Sequence, residues 1–381
     1  MRGIVYSTTS PRITVLFFTS NGVGMGHLAR AIAIARRLGP GFRPVIVTLS
    51  QAFGICRDFG IHAEYLPYHR YTGAAAPEWN AGLADELGLI ADSHEASALV
   101  FDGVVPYGGL LTALRARPGL ATAWCRIGMW RMRREAALLA HEDRFDLVIE
   151  PGELARPFDQ GPTRIHRSRT LTVPPIRLLD DSEQMTRAEA RADLGIAQDR
   201  TAVLVALGSG NNQDRQDLTR CCIDALLARG DVDVVEASWL MSDGRAARDP
   251  RVVPLERFPH ARWINAFDAA VAAASYGLYH ELAAASVPTL FIPNEHPEND
   301  DQLARARFAE SRGLGLCLRA AEAALMGRML DHLLAPPTLA DLGRLRPLAG
   351  ADGRNGAAAA AALVATLARC RANRTADDPR P

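Results

Sequence analysis

The sequence contains no lysine; all 43 of its basic residues are arginine. A Walker A phosphate loop, a protein-kinase site, a Schiff-base enzyme and a serine–lysine acylase each need a specific lysine, so those classes are excluded. Cysteine is also sparse. Six (Cys56, Cys125, Cys221, Cys222, Cys317, Cys370) are scattered over 381 residues without a C-x-x-C pair. That argues against a zinc site or a disulfide framework and for reduced thiols in a cytoplasm. No apolar run approaches the roughly 20 residues that span a bilayer. The segment "MRGIVYSTTSPRITVLFF" reads straight into a first strand, with no separate signal-peptide core or cleavage site. Acidic and basic residues balance at zero net charge, so no basic surface for non-specific nucleic-acid binding is expected.

What is present is an ordinary globular composition, 48% hydrophobic, long enough for two cores. Short apolar strands alternate with helical periodicity, the pattern of an α/β fold with parallel sheets. "ITVLFF", "PVIVTL", "ALVFDG", "ATAWCR" and "DLVIEP" form a first series; "TAVLVALGSG", "VDVVEASW", "RVVPLE", "AAVAAAS" and "TLFIPN" form a second. Between them, residues 168–185 break the pattern with prolines and an acidic pair, and a capped helix starts near Thr186. The expectation is two doubly wound domains facing across a cleft: 1–170, 171–354, an alanine-rich helix over about 355–373 that packs back on the first domain, and a disordered tail 374–381.

"SNGVGMGHLARAIAIARRL", Ser20 to Leu38, follows the first strand and opens a helix. A dinucleotide turn, G-x-G-x-x-G, would place glycine where His27 stands, and an acid at the end of the next strand, where Ser50 and Gln51 stand. The dinucleotide reading fails at both places. Two readings remain for the turn: tight packing with a helix-capping histidine, or a turn built to present His27. A histidine at a helix start on the carboxyl edge of a parallel sheet lies where such folds bind ligands, and an unperturbed imidazole pKa of about 6.5 suits a general base. Asp102, ending the strand "ALVFDG", is the best-placed orienting carboxylate, though a capping or turn role fits it equally.

In "AFDAAVAAASYGLYHELAAASVPTLFIPNEHPENDDQ", a strand, the loop Ser275-Tyr276-Gly277 and a helix from about Tyr279 put Glu281 in the helix's first turn. A carboxylate there suits the two hydroxyls of a ribose, beside a helix N-terminus that suits a diphosphate. Taken with the Gly-x-Gly-His turn and "LGSG", the pattern resembles the GT-B nucleotide-sugar glycosyltransferases. The second half is most similar to the peptidoglycan N-acetylglucosaminyltransferase family.

The resemblance implies two Rossmann-like domains, and a cytoplasmic hexosyltransferase using a UDP-linked hexose or N-acetylhexosamine, with a small-molecule or lipid-linked acceptor. It implies that Gly24, Gly26 and His27 approach donor and acceptor, that Glu281 binds the ribose beside Tyr276 and Gly277, and that Asp301 with Gln302 meets the sugar. Gly208-Ser209-Gly210 matches the family's glycine-serine turn. Arg177, in Pro174-Pro175-Ile176-Arg177, stands where the family's diphosphate arginine follows an asparagine that is missing here. His280 replaces the usual Ser or Thr and is placed to reach a phosphate.

Helix dipoles and an arginine can stabilise a leaving diphosphate without a metal, so no cofactor is expected, and Asp180-Asp181 and Asp300-Asp301 are read as solvated loops. "AWCRIGMWRMRREAALLAH" offers Arg126 and Trp130 to an acceptor or to the inner face of a membrane, against the plainer reading of a basic helix over a core face. His69 and Arg70 are further acceptor-side candidates. "GMGHLAR" also resembles the G-x-G-H-x-x-R turn of the UDP-sugar hydrolases of nonulosonate synthesis. A hydrolase, a nucleotide-sugar epimerase and a non-catalytic binding subunit therefore stand as alternatives, the last disfavoured by His27.

Overall fold

The computed structural model describes residues 12–20, 25–132, 134–165, 170–208, 215–237, 249–343 and 354–377. Among the described residues the strands are β1 Ile13–Thr19, β2 Phe42–Thr48, β3 His62–Tyr65, β4 Ala96–Asp102, β5 Ala121–Cys125, β6 Leu147–Pro151, β7 Thr170–Val173, β8 Thr201–Ala206, β9 Val232–Ala237, β10 Val252–Leu255, β11 Ala269–Ala272, β12 Thr289–Phe291 and β13 Leu316–Cys317. They form two wholly parallel sheets, ordered β3-β2-β1-β4-β5-β6-β7 and β10-β9-β8-β11-β12-β13.

Both faces of each sheet are covered, which is why the central strands are near-continuous apolar runs. The helices that position the site are α1 Gly26–Ala35, α2 Ala76–Ser93, α3 Gly108–Arg115, α4 Gln216–Leu227, α5 Tyr276–Ala285, α6 Gln302–Ser311 and α7 Ala357–Asp377. On one face of the first sheet α1 and α7 pack over Val15, Phe17, Ile46 and Val100. On the other face α2 and α3 cover Leu16, Phe18, Leu99 and Phe101. α7 buries Ala357, Ala360, Ala361, Val364 and Ala368. That helical spacing of small side chains lets it lie close against the sheet.

β7 pairs with β6, so the first sheet runs three residues past the expected boundary at 170. α7 continues to Asp377, past the expected end at 373. The chain crosses between domains twice, at 174–180 and 354–356, and Asn355 joins the crossings. Its Oδ1 accepts from Arg177 N at 3.0 Å, while Nδ2 donates to Arg177 O at 2.9 Å and to Asp180 Oδ1 at 2.8 Å. Gly356 is required there, because a Cβ would sit 1.9 Å from the Pro174 carbonyl oxygen. Among the described residues, no helix is long and apolar enough to cross a membrane.

Candidate active site

β1 and β4 are neighbours with Thr19 opposite Asp102, so the turn after β1 and the end of β4 share one sheet edge. α1 begins there, and His27 lies in its first turn. The imidazole Nδ1 is 2.7 Å from Asp102 Oδ1. An ionised carboxylate only accepts, so Nδ1 donates to it, and in the neutral imidazole Nε2 is the nitrogen left with a lone pair. Arg30, one turn further along α1, donates from Nε to Asp102 Oδ2 at 2.8 Å and from Nη2 to Oδ1 at 2.5 Å.

Asp102 is 1% exposed. Burial alone would raise its pKa, but the Arg30 guanidinium and the His27 hydrogen bond outweigh it and hold the carboxyl below its usual range. Arg30 is the arginine of the G-x-G-H-x-x-R pattern, which the sequence reading did not place in the site; its i, i+3 spacing from His27 puts both on one helix face.

His27 lines a cavity of about 540 Å³ between the two sheets, within the usual range for a small-ligand site. Its first-domain wall includes Met25, Val104, Val105, Tyr107 and Ile127; its second-domain wall includes Gly208, Arg215, His260, Gly277 and Glu281. Gly26, Gly208, Tyr276, Gly277, Glu281 and Gln302 also line the cavity. Gly208 has φ +111°, a conformation that favours glycine. Gly24, Ser209 and Gly210 lie outside the described residues.

Several expectations need correction. α5 starts at Tyr276 behind an extended Ser275, so Glu281 is in its second turn, not its first. The cause is Tyr276, whose buried hydroxyl donates to Gly152 O at 3.0 Å, accepts from Ile176 N at 3.1 Å and so pins the helix start. His280 does not face a phosphate site. It is 2% exposed; its Nδ1 donates to Tyr276 O at 2.7 Å and its Nε2 accepts from Leu154 N at 3.3 Å.

Asp301 does not line the cavity; it caps α6, accepting from Ala304 N. Arg177 lies outside the lining as well. Its guanidinium bonds Asp181 at 2.5 Å and lies near enough to Glu281 to act on its charge. Arg126 is fully buried, at 2.9 Å from Glu142 and 3.2 Å from Glu150, and Trp130 packs with Trp124 in the core. His69 packs on Tyr68 and Trp79, and Arg70 pairs with Glu298 across the cleft, both outside the cavity lining.

Two cavity residues gave no sequence signal. Arg215, just before α4, donates to the Leu207 and Ile292 carbonyls at 3.0 and 3.1 Å, and no described carboxylate pairs with it. Burial pulls its pKa down to about 10, which leaves it cationic. His260 has a buried Nε2 without a hydrogen-bond partner among the described residues, and burial lowers its pKa to about 4. It is a neutral imidazole with one open hydrogen-bonding atom.

Burial pushes the Glu281 carboxyl up to about 7, against the opposing charge of Arg177. The folded pKa is above the unfolded one, so this group favours folding below about pH 4.5 and loses that contribution as pH rises through 7. Glu281→Gln should therefore stabilise the protein by about 1–3 kcal/mol at pH 8 and change little near pH 4.5, discounted for the group's partial exposure. Denaturant melts at the two pH values measure this; an equal effect at both would contradict it.

No protein-family model matches the sequence, and no curated protein matches it significantly. Solved structures do match. The chain is similar to the glycosyltransferase of kitacinnamycin (15% identity, 94% of this chain and 100% of that one, TM-score 0.62). It is also similar to MurG of Acinetobacter baumannii (15%, 93% and 99%, TM-score 0.59) and to the spinosyn rhamnosyltransferase SpnG complexed with thymidine diphosphate (14%, 96% and 100%, TM-score 0.56). The fold is GT-B. Both GT-B sheets and their cleft are spanned in full, and the cavity just described lies in that cleft.

Proposed function

We propose that the protein transfers a sugar from a nucleoside-diphosphate sugar to a hydroxyl group, with His27 as general base. One observation carries this reading. An imidazole tied through Nδ1 to a buried carboxylate stands in the wall of a cavity whose other domain contributes a half-buried arginine with no carboxylate partner among the described residues. His27 Nε2 takes the proton of the acceptor hydroxyl as its oxygen attacks the anomeric carbon. The bond from that carbon to the diphosphate breaks, and the charge on the leaving group is met by Arg215 and the N-terminal end of α5, where Gly277 lines the cavity. Glu281 accepts hydroxyls of the donor, and His260 offers its open nitrogen to it. UDP is the expected nucleotide. The similar rhamnosyltransferase solved with thymidine diphosphate makes TDP the second one to test.

The acceptor-side wall of Met25, Val104, Val105 and Ile127 suits an acceptor with an apolar body, a small molecule or a lipid-linked one, met in the cytoplasm. Metal independence is part of the proposal. Near the cleft, Asp300 is bonded by Arg305 and Asp301 caps a helix, while at the crossover Asp180 pairs with Arg37 and Asp181 with Arg177. Each of these acids is engaged by an arginine or a helix N-terminus, which supports the reading.

Calorimetric titration tests the donor site. UDP or TDP should bind, and Arg215→Ala and Glu281→Ala should each weaken binding by about 1–3 kcal/mol, the range for losing a charged hydrogen-bond partner. Unchanged affinity in both variants would remove the donor assignment.

A further inference from the structure

Outside the cleft, among the described residues, one cluster offers ligand atoms with no part in the reaction. His62 and Glu64 stand two residues apart on the edge strand β3, and so on the same face of the sheet. His94 follows α2 as its cap and reaches the same spot. Its Nε2 is 2.5 Å from Glu64 Oε1, and His62 Nε2 is 3.5 Å from that oxygen. One ligand atom from each residue falls within 4.8 Å of the other two. The backbone holds the His94 end firmly, because its carbonyl accepts from Arg43 Nη2 at 2.8 Å.

We propose that His62, Glu64 and His94 bind a divalent transition-metal ion of the zinc type. Two imidazole nitrogens and one carboxylate oxygen suit zinc, nickel or copper rather than calcium or magnesium, which prefer all-oxygen sites. Tetrahedral zinc, with ligand bonds of about 2.0–2.2 Å, needs ligand atoms roughly 3.3 Å apart. The present spacings bracket that value, so small rotations of the exposed His62 and the half-buried Glu64 and His94 complete the set. His62 is 62% exposed at its side chain, which leaves the fourth position to water. On binding, the metal takes the place on Nε2 of the proton that His94 now donates to Glu64, and that proton moves to Nδ1 of the ring or is released to solvent.

The site is structural. α2 is 18 residues long, about 27 Å at 1.5 Å per residue, and Trp79 in its first turns packs on Tyr107 at the cavity while His94 lies at the other end. The ion would tie the end of α2 to the sheet edge.

The protein stripped of metal by a chelator and then dialysed should bind one zinc ion, and zinc should raise its Tm by several degrees, since an ion that binds the folded chain stabilises it. His62→Ala, an exposed change that leaves the core intact, and His94→Ala should each weaken zinc binding at least tenfold and abolish the rise. Cobalt(II) should give a four-coordinate visible spectrum without a thiolate charge-transfer band, because the ligands include no cysteine. A thiolate band, or unchanged zinc stoichiometry in the His62→Ala/His94→Ala double variant, places the ion on cysteines and overturns the proposal. So does the lack of any zinc binding by the unaltered protein.

Discussion

His27→Ala should lower kcat by about 10²–10⁴-fold, the usual contribution of a general base, while leaving nucleoside diphosphate affinity close to its original value. The two readouts separate because the groups assigned to the donor, Arg215, His260 and Glu281, belong to the second domain, whereas His27 is held from the first. Removing the imidazole leaves the buried Asp102–Arg30 pair intact, so the fold has no reason to fail. Asp102→Asn should give a smaller fall in kcat. It frees the ring from its orientation without deleting the base, and it also costs stability because Arg30 loses its buried counter-charge. Turnover with a nucleotide-sugar and an acceptor extract measures both variants. The product decides between transfer and hydrolysis: a transferase makes a larger glycoside, a hydrolase releases free sugar or sugar phosphate whether or not the acceptor is present. Full turnover in His27→Ala would sink the assignment of the base.

The His27–Asp102 pairing was legible because sheet topology and chain order carry it. β1 and β4 are central strands written as apolar runs, and neighbouring parallel strands place their carboxyl ends side by side. Three of the four edge strands were not legible: β3, β7 and β13 have four, four and two residues and no marked apolar run, whereas the fourth, β10, was read in "RVVPLE".

The start of α5 was misplaced for a different reason. What fixes it is a hydroxyl contact from Tyr276 to residues 124 and 100 positions earlier, and local sequence holds no trace of that. Arg215 and His260 reach the cleft by the same kind of convergence: each sits in an unremarkable connecting segment, and only the tertiary packing brings it to the cavity wall. His280 shows the opposite error. Its place in a matching motif suggested a phosphate contact, yet both ring nitrogens are already spent on backbone groups.

Arg126→Met should lower stability by about 3–5 kcal/mol, the cost of leaving buried charges without their partner, with little change in kcat for the protein that remains folded. In the sequence this arginine belongs to a run of four with two tryptophans, and the run reads as a surface that could meet an acceptor or an anionic membrane. β5 settles its direction. The strand ends at Cys125, Arg126 N continues the ladder by donating to Ile149 O at 2.9 Å, and the side chain turns inward to Glu142 and Glu150. The rings of Trp124 and Trp130 lie 5.7 and 5.8 Å from its guanidinium carbon, so the charge is enclosed by aromatic faces and two carboxylates. Glu150 keeps a second cation in Arg156 at 2.8 Å, which holds the loss below that of two orphaned carboxylates. At roughly 2–4 °C per kcal/mol for a domain of this size, the midpoint of thermal unfolding should fall by about 10 °C. An acceptor-binding arginine would behave the other way, with an unchanged melt and a raised KM for the acceptor, so a melting curve and an acceptor titration on one variant decide which surface this arginine serves.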